Sequence, residues 1–213
     1  MTVPSIDVPR LPGGFEPVEK QKARTRGCLL PRFRTMRGDL ARWSTETRLG
    51  WDDDALHVEF VCEDEDAWGT LTERDAPLWK EEVVELFLAA GESVPRLYYE
   101  FEVSPLCALF DARVTSPRGT RVEMTVDTDW NCDGILWTVS RLEERTDWRA
   151  RLAIPWKGIG LDVAPRILRA NFYRVERPRG GVDELSGWSP TETDPPDFHR
   201  PEKFGLLRLC DFV

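Results

Sequence analysis

An aromatic side chain and a carboxylate lie six residues apart in the segment Pro77–Ala89, where Trp79 precedes the run Val83–Leu88 and Glu85 lies inside that run. The run is rich in β-branched and aromatic residues and apolar on both faces, which predicts a strand buried on both sides. A carboxylate within such a strand is costly unless something binds it. The proline and charged residues around Trp79 indicate a loop. The segment therefore offers a loop aromatic close to a buried acid.

Further aromatic and imidazole side chains occur in loop-like sequence towards the C-terminus, at Trp188, Phe198 and His199. Loop aromatics at one end of a β-sandwich can stack on the C–H faces of a sugar, while carboxylates and other polar groups bind its hydroxyls. Each residue also has a structural interpretation. Trp79 could cap the core, Trp188 could pack inwards from a turn of small residues, and His199 could fix its own loop through a backbone carbonyl.

A catalytic interpretation rests on Glu85, Glu100 and Glu102, which could share one face of a sheet. An acid-pair glycosidase needs two carboxylates about 5 to 9 Å apart, and sequence spacing does not give that distance. The two histidines, His57 and His199, have no obvious catalytic partner, and the chain contains no nucleophile elbow, P-loop or dinucleotide-binding fingerprint. We therefore predict no catalytic residues.

Alternation of apolar and polar residues predicts about ten short strands, with one helical turn at Pro155–Gly160. The pattern is typical of an all-β fold, an antiparallel β-sandwich of jelly-roll type with long loops at one end. We predict residues 1–38 to be an irregular segment packed on the domain, and residues 39–213 to form a single sandwich. The predicted strands are Leu40–Leu49, Ala55–Glu63, Val83–Ala89, Leu97–Val103, Leu106–Val114, Arg121–Asp127, Ile135–Leu142, Trp148–Ile154, Leu168–Glu176 and Phe204–Leu209.

Composition narrows the range of partners. The 213 residues carry a net charge of −9 without a basic block, which argues against nucleic acid and anionic membrane surfaces. No secretory signal pattern occurs at the start, and five cysteines without a CxxC spacing indicate reduced thiols, so we expect a cytoplasmic protein. The acidic loops Asp52–Asp54 and Glu63–Asp66 contain oxygen ligands suited to calcium, although solvated turn acids are the commoner explanation; the metal content stays open, and no other cofactor is predicted.

Six sequence blocks occur in a characteristic order between residues 40 and 210. They are Trp79–Leu88, Tyr98–Pro105, Trp148–Lys157, Arg169–Arg174, Gly187–Pro190 and Phe198–Gly205. In this order they resemble the family 9 carbohydrate-binding modules. The resemblance implies a β-sandwich of jelly-roll type, no catalysis, calcium in some members, and a slot where two aromatic rings sandwich the terminal sugar of a glucan or xylan chain.

The resemblance also implies roles for individual residues. Trp79 matches the first sandwiching tryptophan and Glu85 matches an acid that contacts sugar hydroxyls, while Phe198 stands where a second tryptophan occurs. Glu102 and Ser104 stand where the sugar binder has an arginine and an asparagine, and a carboxylate does not donate as a guanidinium does.

We predict non-catalytic binding of a saccharide, a glucan or xylan chain end, by a carbohydrate-binding-module-like sandwich. The predicted ligand-binding residues are Trp79, Glu85, Glu102, Ser104, Trp188, Phe198 and His199. The alternative is a cytosolic β-sandwich interaction domain that has lost sugar binding.

Overall fold

Two β-sheets pack face to face in the computed structural model, which describes residues 2–15, 27–141 and 147–211. Within those residues, one sheet has nine strands and the other has five. All strand pairs are antiparallel except one: the strands that come first and last in the chain lie side by side in the larger sheet and pair in parallel. The prediction of an all-β antiparallel sandwich is confirmed, with this one parallel pair as the exception.

The nine-stranded sheet contains, in spatial order, β1 (Ser5–Pro9), β14 (Gly205–Cys210), β12 (Ile167–Glu176), β6 (Val83–Ala90), β7 (Leu97–Val103), β8 (Leu109–Thr115) and β9 (Thr125–Asp127), with β13 (Glu184–Gly187) on the second half of β12 and β3 (Arg34–Thr35) on β13. The five-stranded sheet contains β10 (Leu136–Arg141), β11 (Trp148–Pro155), β5 (Ala55–Cys62), β4 (Thr45–Trp51) and β2 (Cys28–Leu29).

The sandwich core lies between the two sheets, and alternation along each strand builds it. Leu86 of β6, Phe101 of β7 and Phe172 of β12 meet Phe60 of β5 and Leu152 of β11 there, all at most 3% exposed. The rings of Phe60 and Phe172 lie 6.2 Å apart across the interface. This core accounts for the apolar residues at every second position of the larger sheet's strands. The residues between them face the other side of that sheet.

Residues of the other parity form a second apolar cluster on the opposite face of the nine-stranded sheet. We call it the outer-face cluster; its aromatic members are Phe87, Tyr98, Phe110, Tyr173, Phe198 and Phe204. Strand β6 is consequently buried on both faces, as its sequence predicts, because the segments leading to β13 and β14 cover the side that a sandwich usually exposes to water.

The structure departs from the predicted elements mainly in short strands. The long loop predicted after residue 176 contains β13, whose four residues are too few to show alternation. Strand β9 begins at Thr125 and not at Arg121. The segment predicted as irregular contributes β1, β2 and β3 in its described part, while residues 16–26 and the predicted strand end at Leu142 lie outside the described residues.

One helical turn lies where the sequence predicts it. The turn expected at Pro155–Gly160 is a 3-10 turn at Lys157–Ile159. None of the five cysteines, all of which are among the described residues, forms a disulfide; Cys62 and Cys132 are buried and Cys107 is exposed. Among the described residues, no helix combines the length and apolar character needed to cross a membrane.

A methyl group at Gly205 should destabilise the fold. It would lie well inside van der Waals distance of the Trp188 ring carbons and 2.9 Å from the backbone oxygen of Pro4. We expect Gly205→Ala to lower the free energy of unfolding by about 1 to 3 kcal/mol, measured by urea denaturation, because overpacking displaces buried side chains. Gly69→Ala is the matched control, since its new methyl group would have its nearest neighbours at 3.4 Å; equal losses in the two variants would contradict the packing argument.

Candidate functional site

A cavity of about 470 Å³ opens on the outer face of the nine-stranded sheet. Strands β6 and β7 form its floor, and loops on either side form its walls. Five of the seven predicted ligand-binding residues line it: Trp79, Glu85, Glu102, Phe198 and His199. The structure therefore brings together residues that lie up to 120 positions apart in the chain.

Three carboxylates form the polar part of the floor, and we call Glu85, Glu100 and Glu102 the floor acids. Glu85 of β6 lies directly opposite Glu102 of β7 in the strand register. Glu100 lies two residues before Glu102 on β7 and therefore on the same face of the sheet. Each acid has a carboxylate oxygen within 4.8 Å of those of the other two, and all three residues are at most 5% exposed. The expectation that these three acids could share one face of a sheet is thus confirmed.

Burial and mutual repulsion keep protons on the floor acids. Burial raises the pKa of Glu85 well above the usual glutamate range, and the charge of Glu100 raises it further. Burial also raises the pKa of Glu102, with added repulsion from Glu85 and Glu100. The pKa of Glu100 rises to about 7 through burial. At neutral pH, Glu85 and Glu102 therefore hold their protons, while Glu100, with a pKa of about 7, is partly ionised.

Trp79 stands on the rim of the cavity. It lies in the 3-10 turn Leu78–Lys80 that leads into β6, and 42% of it is exposed. Its ring meets Phe110 edge to face, with centroids 5.2 Å apart. Trp79 therefore borders the outer-face cluster through Phe110, and the remaining exposed part of its indole is available to a ligand.

Phe198 forms part of the opposite wall and is held by a ring stack. Its ring lies parallel to that of Tyr173 at 4.1 Å, with an interplanar angle of 7°. The Tyr173 hydroxyl also donates to the backbone oxygen of Phe198 at 3.0 Å. Because one face of Phe198 is covered by Tyr173, only the remaining part of the ring is available to the cavity.

His199 is fixed between an outer-face tyrosine and a floor acid. Its Nδ1 lies 2.8 Å from the Tyr98 hydroxyl, and its Nε2 lies 4.0 Å from a carboxylate oxygen of Glu100. Burial, with a smaller contribution from the positive charge of Arg121, lowers the pKa of His199 to about 4. The imidazole is consequently neutral at pH 7 and offers one N–H donor and one acceptor.

Ser104 and Trp188 are predicted site residues that the structure places away from the cavity. The hydroxyl of Ser104 accepts from the backbone N–H of Ala108 at 3.3 Å and so closes the turn between β7 and β8. Trp188 is buried in the sandwich core, where its ring centroid lies 6.0 Å from that of Phe172. The small residues around Trp188 let the indole pack inwards, which was its structural interpretation.

Several cavity residues were not predicted from the sequence. Phe87 lies beside Glu85 on the floor, and its parity within β6 could have identified it. Arg121, Arg177 and Asp197 come from loops, where no periodicity assigns a direction to a side chain. Arg121 pairs with Asp197 at 2.7 Å, while Arg177 pairs with Asp183.

The arrangement of the floor acids does not suit acid-pair hydrolysis. A glycosidase places its two carboxylates on opposite sides of the scissile bond, about 5 to 9 Å apart. The floor acids lie side by side on two neighbouring strands, with oxygens within 4.8 Å of one another. A sugar would lie above all three carboxylates and not between two of them.

A second group of acids lies at one end of the sandwich and could hold a cation. Asp64, Asp66, Glu82 and Glu176 each offer an oxygen within 4.8 Å of the others. One oxygen of Asp66, of Glu82 and of Glu176 is buried without a hydrogen-bond partner among the described residues. An all-oxygen set with unsatisfied ligands fits a hard cation such as calcium.

A buried arginine already neutralises part of this second group. Arg174 pairs with Asp64 at 3.0 Å and with Glu176, and it is 1% exposed. Burial nevertheless raises the pKa of Glu82 to about 7 and that of Glu176 to about 8. The predicted calcium loop Glu63–Asp66 therefore contributes to an acid cluster, whereas Asp52 of the other predicted loop is engaged by its own turn and by His57 at 2.9 Å.

Comparison with known proteins identifies the family. The sequence profile of carbohydrate-binding family 9 matches residues 42–209. The chain therefore belongs to carbohydrate-binding family 9, whose members are non-catalytic binding modules.

Solved structures share the fold at low identity. A candidate carbohydrate-binding protein from Bacteroides uniformis is 13% identical with a TM-score of 0.72, over 98% of this chain and 100% of that chain. A family 9 module from Caldicellulosiruptor kristjanssonii, in complex with cellotriose, is 14% identical with a TM-score of 0.64, over 98% of this chain and 95% of that chain. The same kind of module in complex with glucose gives a TM-score of 0.62 at 14% identity, over 98% of this chain and 97% of that chain.

One curated relative is similar in sequence over part of its length. An extracellular protein from Arthroderma benhamiae is 27% identical over 139 residues, which cover 62% of this chain. The match spans 63% of the length of that relative.

The protonated floor acids should make the fold less stable as pH rises. Their pKa values are higher in the folded than in the unfolded chain, so the folded state binds more protons and loses stability as pH rises from about 5 to about 8. We expect Glu102→Gln to reduce that loss by about 1 to 3 kcal/mol, measured by urea denaturation at both pH values. Exposed Glu92→Gln is the control, and a wild-type slope retained in Glu102→Gln would contradict the assignment.

Calcium should stabilise the chain through the second acid cluster. At about a hundredfold excess over the Kd, a ligand that binds only the folded state should raise the Tm by about 5 to 10 °C, which thermal unfolding would measure. Glu82→Gln should diminish the increase, because it removes one ligand charge. A Tm that does not change with calcium, or an equal increase in Glu82→Gln, would exclude this cluster as the site.

Proposed function

We propose that the chain binds the end of a saccharide chain in the outer-face cavity. The terminal sugar ring stacks against Trp79 and the available part of Phe198, while the floor acids and His199 bind its hydroxyls. The observation that carries the proposal is the placing of a 42% exposed indole above three buried carboxyl groups in one cavity. Membership of a carbohydrate-binding family supports it.

The chemistry of the cavity suits a sugar. Sugar rings present apolar C–H faces and polar edges, so they need an aromatic surface together with well-placed donors and acceptors. Protonated Glu85 and Glu102 can each donate one hydrogen bond and accept others, and neutral His199 has its Nε2 left for the sugar because its Nδ1 is paired with the Tyr98 hydroxyl. The volume of about 470 Å³ falls within the usual range of small-molecule sites, about 300 to 1,000 Å³, which favours a chain end over a long stretch of polymer.

Relatives suggest which saccharides to test first. Family 9 modules from C. kristjanssonii are known in complex with cellotriose and with glucose. We therefore infer that gluco-oligosaccharides are the first ligands to examine, with xylo-oligosaccharides as the second set. The floor acids hold the sugar and carry out no chemistry on it.

Removal of the rim indole should weaken saccharide binding. We expect Trp79→Ala to lower the affinity for a gluco-oligosaccharide at least about tenfold, equal to about 1.4 kcal/mol, because the sugar loses its stacking surface. Isothermal titration calorimetry would measure the affinity, and circular dichroism would check that the variant folds.

Trp137→Ala is the matched control, since Trp137 lies on β10 of the other sheet, outside the cavity lining. It should bind sugar like the wild type. Equal affinities for the wild type and Trp79→Ala would remove the stacking proposal. A wild-type chain that binds no gluco- or xylo-oligosaccharide would favour the interaction-domain alternative.

A further inference from the structure

We propose that the preferred ligand of the cavity is an amino sugar, whose ammonium group binds over the floor acids Glu85, Glu100 and Glu102. The inference rests on the proposed saccharide function and specifies its ligand class. It follows from the number and burial of the acidic groups on the floor, from the engagement of the nearby cations, and from the aromatic lining.

The floor brings together buried acidic groups whose ionised form a neutral ligand would stabilise only weakly. Three carboxyl groups share a space in which their oxygens lie within 4.8 Å of one another. Glu102 is 1% exposed, and neither of its oxygens has a partner with normal hydrogen-bond geometry among the described residues; its polar neighbours are the Glu100 carboxyl group and the backbone N–H of Trp79. A buried carboxylate without a partner is costly, and a bound cation offsets that cost more effectively than a neutral hydroxyl.

The cationic side chains of the cavity lining are already engaged. Arg121 forms its ion pair with Asp197, and Arg177 pairs with Asp183 and donates to the backbone oxygen of Trp79 at 3.3 Å. His199 is neutral at pH 7. Among the described lining residues, the acids therefore outnumber the bases, and the three acids at the floor have no ion pair with a lysine or arginine.

The lining favours an organic cation over a metal ion. Phe87 lies on the floor, Phe110 and Trp79 border it, and Phe198 forms a wall. Aromatic faces attract ammonium groups, whereas calcium requires about six to eight oxygen ligands, and three carboxylates that each offer one oxygen to the shared space supply half of them or fewer. A primary ammonium also has three N–H donors, which matches three carboxylates.

Binding of an ammonium should release protons from the floor. The positive charge lowers the raised pKa values of the floor acids, so they ionise as the ligand enters. The titratable and charged side chains around the floor come from every surrounding element. They are Glu85 of β6; Tyr98, Glu100 and Glu102 of β7; Arg121 before β9; Tyr173 of β12 and Arg177 after it; Asp197 and His199 before β14. A neutral sugar that accepts hydrogen bonds from the protonated acids releases no protons in this way.

The test compares matched disaccharides of glucose, glucosamine and N-acetylglucosamine by calorimetry at about pH 6, below the amine pKa of about 7 to 8, so that the free ligand already carries its ammonium charge. The titrations are run in two buffers of different ionisation enthalpy. We expect the glucosamine disaccharide to bind at least about tenfold more tightly than the glucose disaccharide, and the N-acetylated one to show no such gain, because acetylation removes the charge. Proton release, read from the difference between the buffers, should accompany only the glucosamine ligand.

Two variants separate a specific site from general attraction to an acidic protein. Glu102→Gln and Glu92→Gln each replace an ionisable carboxyl group by an amide, but Glu92 is exposed and lies outside the cavity lining. The ratio of glucosamine to glucose affinity should fall towards one in Glu102→Gln and stay at its wild-type value in Glu92→Gln.

The outcomes distinguish the two proposals. Binding of glucose and glucosamine ligands with equal affinity would overturn the amino-sugar inference and leave saccharide binding intact. Binding of none of the three ligands would overturn both. A third outcome combines two results: added calcium removes the glucosamine preference, and Glu102→Gln abolishes calcium binding. Together they would show a metal site at the floor and overturn the inference as well.

Discussion

The structure depends on keeping three acids buried on the face of a sheet that sandwiches ordinarily leave to water. Glu85 and Glu102 are direct cross-strand neighbours, so their repulsion is fixed by the register of β6 and β7 and is not relieved by rotating one side chain. Burial without a partner is tolerated only where protonation or a bound group removes the charge. The register that forms the sheet therefore also determines the protonation behaviour of the cavity.

The outer-face cluster makes that arrangement rigid. Phe87 stacks beside Tyr98 at 5.7 Å and meets Phe204 edge to face at 5.9 Å, so floor strands and covering segment share one aromatic contact network. The parallel stack of Tyr173 and Phe198 joins the opposite wall to β12 in the same way. Recognition groups are thus preorganised by packing, which reduces the entropy lost when a ligand is fixed.

Sequence reasoning predicted the parts that follow from periodicity. The parity of Glu85, Glu100 and Glu102 on strands of known direction placed them on one face, and the doubly apolar run around Glu85 indicated cover on both sides. It did not predict β13, Arg121 or Asp197, because short strands and loops carry no periodic signal and tertiary contacts determine their direction. Trp188 was predicted as a loop aromatic and Ser104 from the family resemblance, and the core packing of one and the turn geometry of the other place them elsewhere.

The two-sided burial of β6 has an evolutionary consequence. Strands supply the floor of the cavity, whereas the segments 121–128 and 177–199 supply much of its walls. Loops tolerate substitution and changes in length far better than buried strands do. Under the proposed function, selection can therefore alter the shape and reach of the walls, and with them which sugar is accepted beyond the first unit, while changes to the ionisable floor also affect the stability of the sheet. On this scaffold, the charge preference of a ligand should diverge slowly and its length and branching preference quickly.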